Sequence, residues 1–221
     1  VTDSNTVTAL ETLSRDAGKT GWWANYGDVP GTSYQDYMFL ESDASGMLVY
    51  SQQLIHGLLQ TTAYAREVIA ATAITRTPEE VAALAEVRQA RQAALTRPGN
   101  PLKAWVIVHE TALRQHLPAR PGVMKDQLQR LLDVSELPSV DIQVMPLEAD
   151  PHPGMTSPFE IVSFPAPWPT VVNLEHLRGG FFVEGEDAAV FEAAFERIRA
   201  AALPVDTSRE FIKKIKEELT S

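Results

Sequence analysis

A single histidine, His56, stands inside the apolar run Leu54-Ile55-His56-Gly57-Leu58-Leu59 of the stretch SQQLIHGLLQTTAYAREVIA, residues 51–70. An imidazole brings a donor, an acceptor and a charge that changes near neutrality. In a pocket of apolar and aromatic side chains it suits general acid–base work. The plain alternative is a loop histidine satisfied by a backbone carbonyl. His109-Glu110, at the end of a predicted strand, offers a second acid–base pair, or simply a pairing of His109 with Glu110 or Arg114. Arg88, Arg91 and Gln92 fall where the stripe Val81, Leu84, Leu95 calls for apolar residues. Buried there they need partners, either internal (Glu41 or Glu175) or the oxygen atoms of a ligand. Trp22, Trp23, Tyr26, Tyr34 and Tyr37 form an aromatic cluster that packs on the first helix or stacks on a ligand. His152 lies on a loop that covers a cavity or makes a surface turn. Glu175 and His176 alternate on a strand, so only one of them is expected to face inward.

Composition removes several kinds of chemistry. The 221 residues include no cysteine, so disulfides, zinc–thiolate sites and thiol nucleophiles are excluded. No glycine-rich phosphate loop, G-x-S-x-G elbow or H-x-x-x-H pair occurs, and the H-E-x-x-H pattern begun at His109-Glu110 ends on Leu113. Neither a metal site nor a cofactor is expected. The net charge is −10, and only residues 71–136, with nine basic and seven acidic side chains, are even slightly positive. Nucleic-acid binding needs a concentrated basic face, so none is expected of this chain. The absence of an 18-residue apolar run and of a basic-then-apolar leader points away from the membrane and to the cytoplasm.

The elements that must position these residues read as an α+β domain: a helical N-terminal half, a mixed or antiparallel sheet with one inserted helix, and C-terminal helices. Helices are predicted over 6–17, over 33–52 with Tyr37, Leu40, Ala44 and Met47/Leu48 along one stripe, and after Thr61 or Thr62. Thr77-Pro78-Glu79-Glu80 combines a capping threonine, a first-turn proline and a glutamate three residues on, and opens a helix to about Thr96. Strand 102–108, helix 122–136 and strand 140–146 follow. Eight of the 15 prolines fall between Pro138 and Pro169, so 148–169 reads as loops and edge strands. A hairpin about Arg178-Gly179-Gly180 favours antiparallel neighbours over a doubly wound sheet. Helices 187–202 and 207–219 end the chain, the second opened by Thr207-x-x-Glu210. Its apolar positions Phe211, Ile212, Ile215 and Leu219 suit either a docked helix or a homodimer contact. One domain over 1–221 is expected, with lobes 1–98 and 99–221.

Several spaced motifs carry a resemblance. They are Trp22-Trp23, Glu41-x-x-Ala44, Tyr50, Leu54-Ile55-x-Gly57-Leu58-Leu59-Gln60-Thr61-x-x-Tyr64-Ala65, Arg88-x-x-Arg91-Gln92-x-x-Leu95, Glu110-x-x-Leu113-Arg114, Met124-x-x-Gln127-Leu128 and Ile142-Gln143-Val144-Met145-Pro146. In this order they resemble the effector domain, often described as antitoxin-like, of XRE-type helix-turn-helix regulators, over about residues 10–205. Three departures stand out. The helix-turn-helix that opens a regulator of that type is not part of this sequence, a proline of the elbow is His56, and an aspartate at the strand end is His109.

The resemblance implies a pocket for a small molecule or partner. The departures imply a stand-alone enzyme of natural-product biosynthesis, dehydrating or cyclising a polyketide-like substrate without a cofactor. In that reading His56 is base or acid, with His109 or Glu110 as counterpart. Gln60, Arg88 and Arg91 stabilise an enolate-like oxygen, and Trp22, Trp23, Tyr26, Tyr37, Gln92 and Glu175 complete the substrate pocket. The alternative is a sensing domain of a regulator that binds its molecule unchanged.

Overall fold

The structure, a computed structural model, describes residues 22–26, 29–72, 75–176 and 179–219. The expected helix over 6–17 lies outside the described residues. Helix α1 spans Thr32–Asp43 and stops well short of the predicted residue 52. Ala44 turns extended (φ −62°, ψ 139°), and strand β1 runs Gly46–Ser51. The apolar run Met47-Leu48-Val49-Tyr50 has the spacing of a helix stripe, yet it is the doubly buried centre of a sheet, where apolar residues run without alternation. Arg97 closes α1 by donating to the Ser42 and Ala44 carbonyls.

The α+β class holds. Helices α2 (Thr62–Thr72) and α3 (Pro78–Arg91) lead to β2 (Lys103–His109), the single turn α4 (Glu110–Leu113), α5 (Pro121–Val134) and β3 (Val140–Met145). Strands β4 (Phe159–Ser163), β5 (Val171–His176) and β6 (Gly179–Glu184) precede α6 (Glu186–Ala201) and α7 (Val205–Glu218). The capping box forms as expected at α3: Thr77 Oγ1 accepts the Glu80 N–H, and the Glu80 carboxylate accepts the Thr77 N–H at 2.8 Å. The one expected at Thr207 does not form, because α7 starts at Val205 after Pro204. There Ser208 is fully buried and accepts the Val144 N–H while donating to the Leu203 carbonyl.

The six strands order β3-β2-β1-β4-β5-β6. β1 pairs parallel with β2, and β2 parallel with β3, whereas β1–β4, β4–β5 and β5–β6 are antiparallel. The sheet is therefore mixed, with the change of sense at β1. Antiparallel pairing holds only on one side, because the helical crossovers after β1 and β2 return the chain parallel. Strand β4, which the prolines placed among loops and edges, is central. Its prolines, Pro158 and Pro165, flank the strand and so remove no ladder donor within it.

Side chains alternate between two cores. Val49, Val106, Val144 and Val162 face a cluster closed by Leu128 and Leu131 of α5 and Ile212 and Ile215 of α7. Tyr50, Ile107, Phe159 and Val172 face a second cluster closed by Phe195 and Ile198 of α6. Phe211 and Leu219 also pack on the first core, so the apolar stripe of α7 is docked within the chain. The two lobes anticipated about residue 98 share one sheet, since β1 of the first pairs with β2 and β4 of the second.

Candidate functional site

The elbow between β1 and α2 has little regular structure beyond one 3-10 turn, Gly57–Leu59, and side chains pair many of its backbone groups. The Ile55 N–H donates to Tyr64 Oη at 3.4 Å, and Gln60 Nε2 donates to the Ile55 carbonyl at 2.6 Å. Gln92 Nε2 donates to the Gln60 carbonyl (2.6 Å) and Gly57 carbonyl (3.3 Å). Gln127 accepts the Thr61 N–H at 2.7 Å and donates to the Leu59 carbonyl at 2.8 Å. Buried peptide groups require such partners wherever no ladder supplies them. Gln127→Leu strands two of them, and is expected to destabilise the fold by about 2 kcal/mol in urea titrations. A loss near zero would show that the elbow does not need its clamp.

The clamp fixes His56. Its Nδ1 accepts the Leu58 N–H at 3.4 Å, which assigns the ring proton to Nε2, and Nε2 lies 2.9 Å from Glu160 Oε1. Glu160 faces this side because β4 alternates, and Asn173 stands directly opposite it on β5. Asn173 Nδ2 donates to Glu160 Oε2 at 3.2 Å. The Tyr37 hydroxyl reaches His56 Nε2 at 3.4 Å and Glu41 Oε2 at 3.5 Å. Glu41 in turn holds Arg91 by two contacts, Nε–Oε1 at 2.8 Å and Nη2–Oε2 at 2.5 Å, while Arg91 Nη1 donates to the Tyr34 hydroxyl at 2.6 Å. The guanidinium also lies against the Tyr37 ring, 4.7 Å from its centroid.

The electrostatics follow from this wiring. Burial raises the Glu160 carboxyl, but the facing His56 and hydrogen bonds from His56, Tyr37 and Asn173 outweigh it and bring it down to about 2. Burial and the neighbouring charges of Glu160 and Glu41 raise the Tyr37 phenol well above its ordinary range, so it stays a neutral donor. Burial alone pushes Tyr50 up to about 12.

These groups line one cavity of about 770 Å³ at the end of β1, within the size range of small-molecule sites. Of the residues singled out in the sequence, His56, Tyr37, Gln60, Arg88, Arg91 and Glu175 line it. Glu175 and His176 both line it, although they alternate along β5. Tyr34 of the aromatic cluster lines it too, whereas Trp23, Tyr26, Gln92, His109 and Glu110 do not. Trp23 packs with Met38 and Val87, and Tyr26 leans on that cluster. The side chain of Trp22 lies outside the described residues. Gln92 is spent on the elbow. His109 caps α4, with Nδ1 accepting the Thr111 N–H at 3.2 Å, and burial lowers it against the opposing pull of Glu110. Glu110 is a scaffold carboxylate, binding the Leu147 N–H at 3.0 Å and Arg114 Nε at 2.6 Å. The second half of the site was missed: Glu160, Asn173, Phe159 and Tyr50 all border the cavity. The signal for them was Phe159-Glu160-Ile161-Val162, a charged residue inside an apolar four, hidden by the prolines on either side. Among the described residues no group of three or more His, Cys, Asp or Glu side chains is placed to hold a metal.

Residues 34–214 match the family described as a domain of unknown function, DUF5753, and the chain belongs to that family. No curated protein matches it. No helix among the described residues is long and apolar enough to cross a membrane.

Proposed function

We propose that this domain binds a small amphipathic molecule in the cavity beside His56 and holds it unchanged, as the sensing module of a cytoplasmic regulator. The observation that carries the reading is the engagement of both His56 ring nitrogens, one by the Leu58 N–H and one by Glu160. A general base needs a free lone pair aimed at the substrate; here the imidazole is a fixed part of the wall. The lining supports binding as well. Leu54, Ile55, Val68 and Phe159 offer apolar surface, and Tyr50, Arg88 and Asn173 each bring a buried polar atom that no described residue satisfies. The resemblance to effector domains points the same way.

The test separates binding from turnover. The protein is screened by thermal shift against apolar acids, alcohols and polyketide-like lactones, and each hit is followed by NMR of the ligand. A binder at a hundred times its Kd adds about 2.7 kcal/mol to stability, and the ligand spectrum is expected to remain unchanged after prolonged incubation. Conversion of a ligand, abolished by His56→Ala, would replace this reading with the cofactor-free dehydratase or cyclase.

A further inference from the structure

Arg88 differs from the other arginines at the cavity. Arg91 is paired with Glu41, and Arg76 with Glu80 at 3.2 Å. No carboxylate of the described residues lies within 4 Å of Arg88. Its Nη1 donates to Gln60 Oε1 at 3.0 Å, and its Nε is buried with no partner among the described residues. The stem lies along the elbow: a Cβ built on Gly57 would stand 3.5 Å from Arg88 Cδ. Gln60 is itself anchored through Nε2 to the Ile55 carbonyl. The guanidinium is thus held in place by a neutral oxygen and keeps its charge and one donor unanswered.

A cation in a partly buried wall without a counter-ion is costly, and buried donors without acceptors are rare enough to need a cause. Five buried side-chain atoms among the described residues lack partners, and three of them, Arg88 Nε, Tyr50 Oη and Asn173 Oδ1, belong to residues of this one cavity. We propose that Arg88 receives an organic oxyanion, a carboxylate or its like, carried on an apolar body that fills the rest of the cavity. Nε lies against Gly57, so the two Nη groups, of which only Nη1 is engaged, present the planar end that binds such an anion through two hydrogen bonds. A small inorganic anion would leave the apolar lining of Leu54, Ile55 and Phe159 uncovered. The inference rests on the binding role proposed above and adds the ligand's charge.

Two probes that differ only in the anion test it: 1-anilinonaphthalene-8-sulfonate and its neutral parent N-phenyl-1-naphthylamine, both read by fluorescence. The wild-type protein is expected to bind the sulfonate about tenfold to a hundredfold more tightly. Arg88→Gln is expected to bring the two affinities together. Arg88→Lys keeps an alkyl stem and the charge but lacks the planar guanidinium end, and is expected to fall between; it also serves if the glutamine variant does not fold. In 15N spectra of the wild type, one arginine Nε–H resonance, missing from the Arg88→Lys protein, should move with the sulfonate and stay with the neutral probe. Equal binding of both probes to the wild type would leave the cavity as a binding site and remove the anion clamp. A preference for the sulfonate that survives in both variants would also overturn it. Binding of neither probe would overturn the cavity reading and the clamp together.

Discussion

Arg91→Met is expected to cost about 4 kcal/mol of folding stability, the largest loss from any single polar change at this site. The substitution keeps much of the side chain's apolar volume and removes only its charge and donors. It leaves Glu41, 3% exposed, inside the protein with no cation, and takes away the donor to Tyr34. Truncating one member of a buried pair is costly because the other remains as an uncompensated charge, not because the pair is itself strongly stabilising. The double variant Glu41→Leu/Arg91→Met is therefore expected to recover most of the loss. Urea titration of the four proteins closes a double-mutant cycle. A single-variant loss below about 1 kcal/mol would mean that Glu41 reaches water or another donor.

Acid should loosen the protein through Glu160 over a defined window. The carboxyl titrates near 4.5 in an unfolded chain and is held down to about 2 in the native one. A depressed carboxyl contributes stability that is complete above 4.5, declines as the pH falls, and is gone below about 2. The span of the shift corresponds to about 3 kcal/mol. Other acids titrate in the same range, so the comparison is with Glu160→Gln, which keeps the shape and an acceptor for His56. Stability curves of the two proteins should converge as the pH drops from 4.5 to 2, with the wild type ahead by about 3 kcal/mol above that window. Parallel curves would show that Glu160 is not ionised against His56. His56→Ala should also narrow the gap, since it removes the donor facing Glu160 at 2.9 Å.

What the sequence could disclose depended on how local its cause was. The α3 start was legible because Thr77, Pro78 and Glu80 act on one another within a single turn. The α7 stripe was legible because four apolar residues at helical spacing have to be covered. Met47-Leu48-Val49-Tyr50 was misread, since a short apolar run has no period that separates a buried strand from a helix face. The pairing of Arg91 with Glu41 was within reach, because a cation on an apolar stripe demands a partner. His109 and Glu110 looked chemical by residue type, but their job is to finish one strand and begin one turn. The partners of Glu160 were out of reach: they come from register, with Val49 on one side and Asn173 on the other, and no local pattern encodes register between strands so far apart.

The place of β1 at the middle of the sheet has a consequence during synthesis. It is the first of the strands to leave the ribosome, and both its neighbours come later, β2 starting at Lys103 and β4 at Phe159. Until β2 is made its apolar residues have no strand to pair with, and one edge stays open until β4 follows, a state that long-range sheets pass through slowly and at risk of misassociation. Glu160 follows His56 by 104 positions, so the wall that fixes the imidazole closes only after that whole stretch has emerged. On the binding role proposed above, a chain can take up its ligand only after β4 has joined the sheet.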